Sequence, residues 1–342
     1  MKAARIHRHG GPDVLVYEDV PEPRLRADQV LVRVRAAALN HLDLWVRAGI
    51  PGLKFPMPHV LGSDVAGEVV AVGELCERVR PGWRVLLSPG LSCRQCEQCV
   101  SGNDNLCRRY AVLGYGVDGG NAELLAVPEY AVIPIPDNLP FEDAAATPLV
   151  FLTAWHMMMT RARLQPGDDV LVLAASSGVG SAAIQIAKMF QCRVIATAGS
   201  EEKLAKARAL GADHTIDHYR QDIAAEVKRI TARRGVDVVL EHVGLATWPK
   251  SLESLAPAGR LVTCGATTGF DARLDLRYLF SKQWSLLGSF MGTMGELHQV
   301  LKFVFRRQLK PVVDRVYPLS EIRAAHERLE NREQFGKIIV KP

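Results

Sequence analysis

The feature that most constrains the fold is a change of period after about Ala144. Short apolar runs at Val170-Leu173, Arg193-Thr197, His214-Ile216, Val236-Leu240, Arg260-Cys264 and Ser285-Leu287 read as strands. Between or beyond them, Val179-Phe190, Glu201-Leu210, Ile223-Thr231, Lys250-Leu255 and Glu296-Gln308 carry helical spacing. A helix between two strands is long enough to carry the chain back across the sheet, the crossover that parallel pairing needs. The alternation therefore predicts an α/β fold with a doubly wound parallel sheet. A single helical stretch from Ala144 to Met159 is expected to lead into it.

The first 135 residues follow a different pattern. Val14-Tyr17, Val30-Val34, Val65-Val72 and Val85-Leu87 are β-branched runs cut by Pro21-Glu22-Pro23, Gly73, Pro81-Gly82 and Pro89-Gly90. Many short strands with Gly/Pro turns predict a barrel-like β domain. The tail, with Val312-Val316, a helix from Ser320 and then Lys337-Val340, reads as β-domain material returning. A chain of 342 residues is long enough for two such cores.

Charge excludes some function classes. Lys and Arg number 42 against 37 Asp and Glu, with no basic run, so no nucleic-acid partner is expected. The opening residues lack an apolar core and no stretch approaches 18 apolar residues, so neither export nor membrane insertion is expected. Cys76, Cys192 and Cys264 are isolated, and a reduced, cytoplasmic setting follows.

The run Val170-Leu-Val-Leu173, Ala174-Ala-Ser-Ser-Gly-Val-Gly180 and the helix after it form a strand, a small-residue turn and a helix. Backbone N–H groups in such a turn can approach a pyrophosphate at the positive end of the helix. Ala175 and Ser177 take the first two glycine places of the dinucleotide fingerprint, Gly180 holds the third, and Gly178 and Val179 lie between. At the end of the second strand, where an NAD site places an acid, stands Ala198 followed by Gly199. Ala198 and Gly199 leave room for a 2′-phosphate, Ser200 can donate to it and Lys203 can offer positive charge, so NADP(H) is preferred over NAD(H). Strand ends nominate further cofactor contacts at Val243, Gly265, Ala266 and Ser289.

Cys93, Cys96, Cys99 and Cys107 form a C-x2-C-x2-C-x7-C run. Four thiolates in one short loop suit tetrahedral zinc and leave no open coordination position, so the site is read as one structural zinc per subunit. Its few basic neighbours, Arg94, Arg108 and Arg109, are offset by Glu97 and Asp104 and make a poor phosphate-tracking surface.

Taken together, Leu39-Asn-His-Leu-Asp43, Pro58-His-Val-Leu-Gly-Ser-Asp64 with Gly67, the cysteine lobe, Pro148-Leu-Val-Phe-Leu-Thr-Ala-Trp155, the Ala-Ala-Ser-Ser-Gly-Val-Gly turn and Phe335-Gly-Lys337 resemble the medium-chain dehydrogenase/reductase superfamily. That superfamily includes the zinc-type alcohol dehydrogenases and the quinone oxidoreductases. The resemblance covers essentially the whole chain. It implies a GroES-like catalytic domain over residues 1–140, with the zinc lobe at about 90–110, completed by 292–342. It implies a Rossmann domain over 141–291, a cofactor cleft and a homodimer or homotetramer.

The resemblance also exposes a gap. Zinc alcohol dehydrogenases hold a catalytic ion with Cys, His beside Glu, and a second Cys. Here those positions carry Asn40, Ser63 beside Asp64, and Leu149. Such a set is a very poor zinc site. His41 and His59 are read as structural, and Leu42 and Trp45 stand where the zinc enzymes keep a proton relay. Without a Lewis acid, hydride removal from an alcohol is difficult, whereas hydride delivery to a quinone or α,β-unsaturated carbonyl needs only hydrogen-bond donors and a proton. The expected reaction is therefore NADPH-dependent reduction of such a small-molecule substrate. Asn40 is assigned as a polar contact, Asp43 as organiser of its loop, and Asp64 as a further candidate. An alcohol dehydrogenase with an unconventional site is the alternative, and an NADPH-sensing binding protein stands behind both.

Overall fold

The computed structural model describes residues 1–342. It divides into two compact units, Met1–Leu149 with Thr293–Pro342, and Val150–Gly292.

The first unit is built on a seven-stranded sheet. Its central path runs Val132–Pro134, Arg84–Leu87, Asp64–Val72, Gln29–Ala38, Lys337–Lys341 and Val313–Pro318, and Leu124–Pro128 also pairs with Gln29–Ala38. The strand Gln29–Ala38 buries alternate residues (Val30, Val32, Val34, Ala36), as a period-2 pattern requires. A three-stranded sheet of Leu15–Asp19, Lys2–Ile6 and His59–Val60 lies in the same unit. Val32, Val34, Leu61, Val65, Val85 and Ile338 belong to one apolar core, to which Ile322 and Leu329 of the helix Ile322–Glu330 add. The tail thus enters this core, with Ile339 opposite Ala38.

In the second unit six parallel strands stand in the order His214–Asp217, Arg193–Ala198, Asp169–Val172, Val236–Glu241, Leu255–Thr263 and Ser285–Gly288. Asp169–Val172 is buried at every position, as expected of a strand covered on both faces. Leu171, Leu173, Ile195, Val239 and Leu261 form the core with Ile223, Val227 and Leu252 from the helices Ile223–Ile230 and Trp248–Glu253. Because all six strands point the same way, their C-terminal ends share one edge. The strand order reverses between Asp169–Val172 and Val236–Glu241, which is where open α/β sheets bind ligands.

Two expectations are corrected. The helical stretch from Ala144 to Met159 is instead two segments, Phe141–Ala145 and Pro148–Trp155, the second continuing as a π-helix over His156–Arg161. Pro148 lacks an N–H and cannot continue a helix, but it starts one well. The boundary between units falls after Leu149 rather than after residue 140, because Phe141–Ala145 packs on the strands Gln29–Ala38 and Asp64–Val72. The second boundary follows Gly292.

Candidate functional site

The dinucleotide turn forms as its residues dictate. Ser177 caps the helix Gly178–Met189, its Oγ accepting from Gly180 N at 2.9 Å. Gly180 lies so close to the preceding strand that a Cβ there would sit 2.5 Å from Ala174 O and 3.0 Å from Ala175 Cα. This is the close helix–strand packing that the third glycine of the fingerprint permits. Ser177 N donates to Ala174 O, and Ser181 N donates to Ser177 O. The N–H groups of Gly178 and Val179 are left with no backbone acceptor, at the positive end of a three-turn helix. Ala175 differs from its assignment. It is fully buried, and its N–H is spent on Thr197 O at 2.8 Å, so neither its side chain nor its amide is free for a phosphate.

The next strand end also departs from the sequence reading. Ala198 is buried. Space at Gly199 is taken by a neighbour, since a Cβ there would meet Tyr219 Cε2 at 2.4 Å and His218 Nε2 at 3.0 Å. The parallel register sets Asp217 opposite Ala198, which brings His218 and Tyr219 beside the turn. Ser200 caps the helix Glu201–Ala209 by accepting from Lys203 N at 3.4 Å, and Lys203 lies in its first turn. His218 and Tyr219 were not selected from the sequence. Their only signal is that they follow a strand adjacent to the fingerprint's second strand.

Beyond the switch point, two loops lean on each other. Thr268 N donates to Val243 O at 2.8 Å, and Thr267 Oγ1 donates to His242 O at 3.1 Å. The residues flanking Val243 thereby pack on the second loop, His242 against Gly265 and Gly244 against Ala266. The organiser is Glu241, fully buried, which accepts from Val243 N (2.7 Å), Gly244 N (3.0 Å), Thr247 Oγ1 (2.9 Å) and Ser251 Oγ (2.6 Å). Burial holds the His242 imidazole well below its ordinary range and hence neutral, with Nε2 3.1 Å from Leu173 O and 3.5 Å from Ser177 Oγ. At the last strand end, Ser289 N donates to Thr263 O, while its buried hydroxyl has no partner. Such an orphaned group at the ligand edge of the sheet fits a bound polar molecule. The unspent amides, the close-packed glycine and this hydroxyl together fit a dinucleotide.

In the other unit, Asn40 caps the helix His41–Ala48. Its N–H donates to Asp43 Oδ2 at 2.7 Å, while Asp43 Oδ1 accepts from Gly62 N at 2.9 Å. Asp43 therefore ties the loop at residue 40 to the loop at residue 62. Burial pushes its carboxyl up to about 6, against the opposing pull of the Asn40 and Gly62 amides and of Lys337. Asn40 Nδ2 donates to Asp64 Oδ2 (2.9 Å) and, at a long 3.4 Å, to Ala38 O. Asp64 Oδ1 accepts from Leu149 N at 2.8 Å. Lys337 Nζ, which the sequence reading gave no role, donates to Asn40 Oδ1 at 2.5 Å and Asp64 Oδ2 at 2.9 Å. Ser63 is fully buried, and its hydroxyl has no partner. His59 is held by Gly114 O at 3.1 Å and by Asp118 Oδ1 at 3.2 Å, a structural pairing. The positions that the resemblance gives to a catalytic zinc thus present one carboxylate, one amide, one hydroxyl and one leucine. This oxygen-rich set is already engaged with an ammonium and does not fit zinc.

The four lobe thiols do fit it. All their sulfurs lie within 4.8 Å of one another, with Cys93 to Cys99 at 3.8 Å and Cys96 to Cys99 at 3.5 Å. Tetrahedral zinc with ~2.3 Å bonds sets its sulfurs about 3.8 Å apart. Backbone amides already point at them: Cys96 N to Cys93 Sγ (3.3 Å), and both Cys93 N (3.4 Å) and Arg109 N (3.3 Å) to Cys107 Sγ. The Gln95 and Cys96 amides pull the Cys93 thiol down to about 5, whereas burial pushes Cys99 up to about 11. Metal binding must therefore release protons. The lobe is fastened to its unit by Tyr130 Oη, which donates to Ser92 O, and by Asp104, which accepts from Met294 N.

Comparison with known proteins agrees with this architecture. Residues 26–137 match the alcohol dehydrogenase GroES-like domain and residues 178–306 the zinc-binding dehydrogenase family. An NAD-dependent alcohol dehydrogenase of Sulfolobus acidocaldarius is 33% identical over 351 residues, covering 100% of this chain and 99% of the relative. A quinone oxidoreductase of Pseudomonas aeruginosa is 32% identical over 354 residues, with the same coverage of 100% and 99%. The crystal structure of an NAD-dependent alcohol dehydrogenase superposes with a TM-score of 0.97 at 47% identity and covers 100% of both chains. No helix is long and apolar enough to cross a membrane. The chain therefore belongs to the medium-chain dehydrogenase/reductase superfamily and is an NAD(P)-dependent oxidoreductase of its zinc-type alcohol dehydrogenase-like branch.

Proposed function

We propose that this protein is an NADPH-dependent reductase of quinones or α,β-unsaturated carbonyls that works without a catalytic zinc. The observation that carries the reading is the closed network that Asp64 and Lys337 make with Asn40, which stands where a zinc enzyme keeps its first cysteine ligand. A quinone or enone accepts hydride without prior ionisation, so the protein's task reduces to donating hydrogen bonds to the oxygen that gains charge. When bound, NADPH supplies the hydride.

Each residue then has a role. Asn40 offers substrate its loosely held Nδ2–H, the one shared with Ala38 O at 3.4 Å. Asp43 fixes that loop, and Asp64 orients the Asn40 amide. The amides of Gly178 and Val179 receive the pyrophosphate, with Ser177 and Gly180 shaping the turn. Val243, Gly265, Ala266 and Ser289 line the nicotinamide side, and Glu241 holds their loop. Ser200 and Lys203, now joined by His218, face the 2′-phosphate, because no acid ends the second strand of the fingerprint. Cys93, Cys96, Cys99 and Cys107 hold one structural zinc.

The unpaired outer edge of the strand Ser285–Gly288, with exposed Leu276, Tyr278, Phe280 and Phe290 close in sequence, supports a homodimer or homotetramer. The three cysteines outside the lobe, Cys76, Cys192 and Cys264, form no disulfide, which suits a cytoplasmic setting.

A second reading, NAD-dependent alcohol oxidation on an unconventional site, is favoured by the solved relative at 47% identity, an NAD-dependent alcohol dehydrogenase. Two measurements separate them. Elemental analysis should return one zinc per subunit. Steady-state assays with NADPH and NADH against a quinone, an enone and a primary alcohol should show NADPH oxidation by the first two. Turnover of alcohol with NAD alone, or a second zinc in each subunit, would overturn the proposal.

A further inference from the structure

Lys337 begins the strand Lys337–Lys341, and its side chain is only 4% exposed. Its Nζ donates to Asn40 Oδ1 and to Asp64 Oδ2, while Asn40 Nδ2 donates to that same Asp64 oxygen. The three groups close a ring in which every polar atom has one allowed direction. Turning the Asn40 amide over would set its NH2 against an ammonium and its oxygen against a carboxylate. The ring therefore selects which end of the amide faces which neighbour. Asp43 adds a second buried carboxylate one hydrogen bond away, through the Asn40 N–H. Lys337 is the cation acting on both carboxylates.

We infer that Lys337 is a positioning residue for hydride transfer, locking the Asn40 amide in one orientation and balancing the buried Asp64 carboxylate in the absence of a metal. The inference takes the metal-free site from the reductase reading above. Lys337 touches no reacting atom in this account and acts through Asn40. Its removal leaves Asp64 buried without a counter-ion and frees the amide to turn. It also removes the positive charge that opposes protonation of Asp43, so Asp43 takes up its proton at higher pH.

The test compares Lys337→Met, Lys337→Arg and the wild type as full-length, zinc-loaded protein, on whichever substrate the wild type turns over. In Lys337→Met, kcat should fall by roughly 30-fold or more, because an interaction that orients a catalytic group is lost. Cofactor affinity, read by fluorescence titration, should stay within about threefold, because Lys337 is bonded to Asn40 and Asp64 and to no residue of the dinucleotide turn. The acid limb of the pH profile should move upward by about one pH unit. Lys337→Arg, which restores the charge, should recover about tenfold or more of the lost kcat. A folded Lys337→Met with wild-type kcat, or with an unmoved acid limb, overturns the inference. So does a loss that Lys337→Arg leaves untouched. Should the methionine variant not fold, Lys337→Gln, whose amide still donates to Asp64, carries the same comparison. Alcohol-only turnover by the wild type would sink the reductase reading while leaving this comparison intact, because it is then run on that alcohol.

Discussion

Asp43 offers the sharpest quantitative test. It is fully buried and accepts two backbone N–H bonds, yet burial outweighs them and raises its carboxyl from 3.8 to about 6. A rise of roughly two pH units, at 1.36 kcal/mol each, is about 3 kcal/mol. The folded-state value lies above the unfolded one, so the folded protein holds the proton longer. The favourable contribution is fully present below about pH 4 and is lost as pH rises through about 6. Asn in place of Asp cannot titrate, and its amide keeps one acceptor for two N–H donors.

Asp43→Asn should therefore cost about 1–3 kcal/mol near pH 4, the price of one unsatisfied buried group. That cost should shrink by about 3 kcal/mol towards pH 7, where the variant becomes as stable as the wild type or more so. Urea unfolding of both proteins from pH 4 to 7.5, followed by tryptophan fluorescence, reads the difference. Groups titrating elsewhere cancel in the comparison, because both proteins share them. A cost that stays constant with pH, or grows towards neutrality, would refute the account of Asp43 as a carboxylate held against its burial.

Two further expectations concern the dinucleotide turn and the lobe. Gly180→Ala drives a Cβ to 2.5 Å from Ala174 O, so calorimetry should show a loss of about 1–3 kcal/mol and titration a markedly weaker NAD(P)H affinity. A variant of wild-type affinity would show that the helix start does not hold the pyrophosphate. Stripping zinc with a chelator should lower the thermal midpoint by on the order of 10 °C, because the ion stabilises only the folded lobe. Molecules that remain folded should keep their hydride-transfer rate; a folded, metal-free enzyme without activity would contradict a purely structural ion.

Much of this protein was legible in its sequence, wherever the governing contacts are local. The cysteine spacing within one loop determined a four-thiol cluster, because ligands so close in the chain meet whatever surrounds them. The strand and helix periods determined the parallel sheet, because a crossover helix leaves little choice of pairing. The single helix expected over 144–159 failed for a local reason as well: Pro148 restarts the chain.

What only the tertiary structure decided joins residues far apart in the chain. Lys337 meets Asn40 across 297 positions and Asp64 across 273, a meeting created when the returning tail pairs with the strand Gln29–Ala38. His218 and Tyr219 reach Gly199 only through the parallel register of two strands. Ala175 reads as a phosphate contact until its N–H is found bonded to Thr197 O. Residue type and spacing state which chemistry a segment can perform. Which hydrogen bonds remain unspent, and which charges share a buried space, depends on packing partners that no local pattern names.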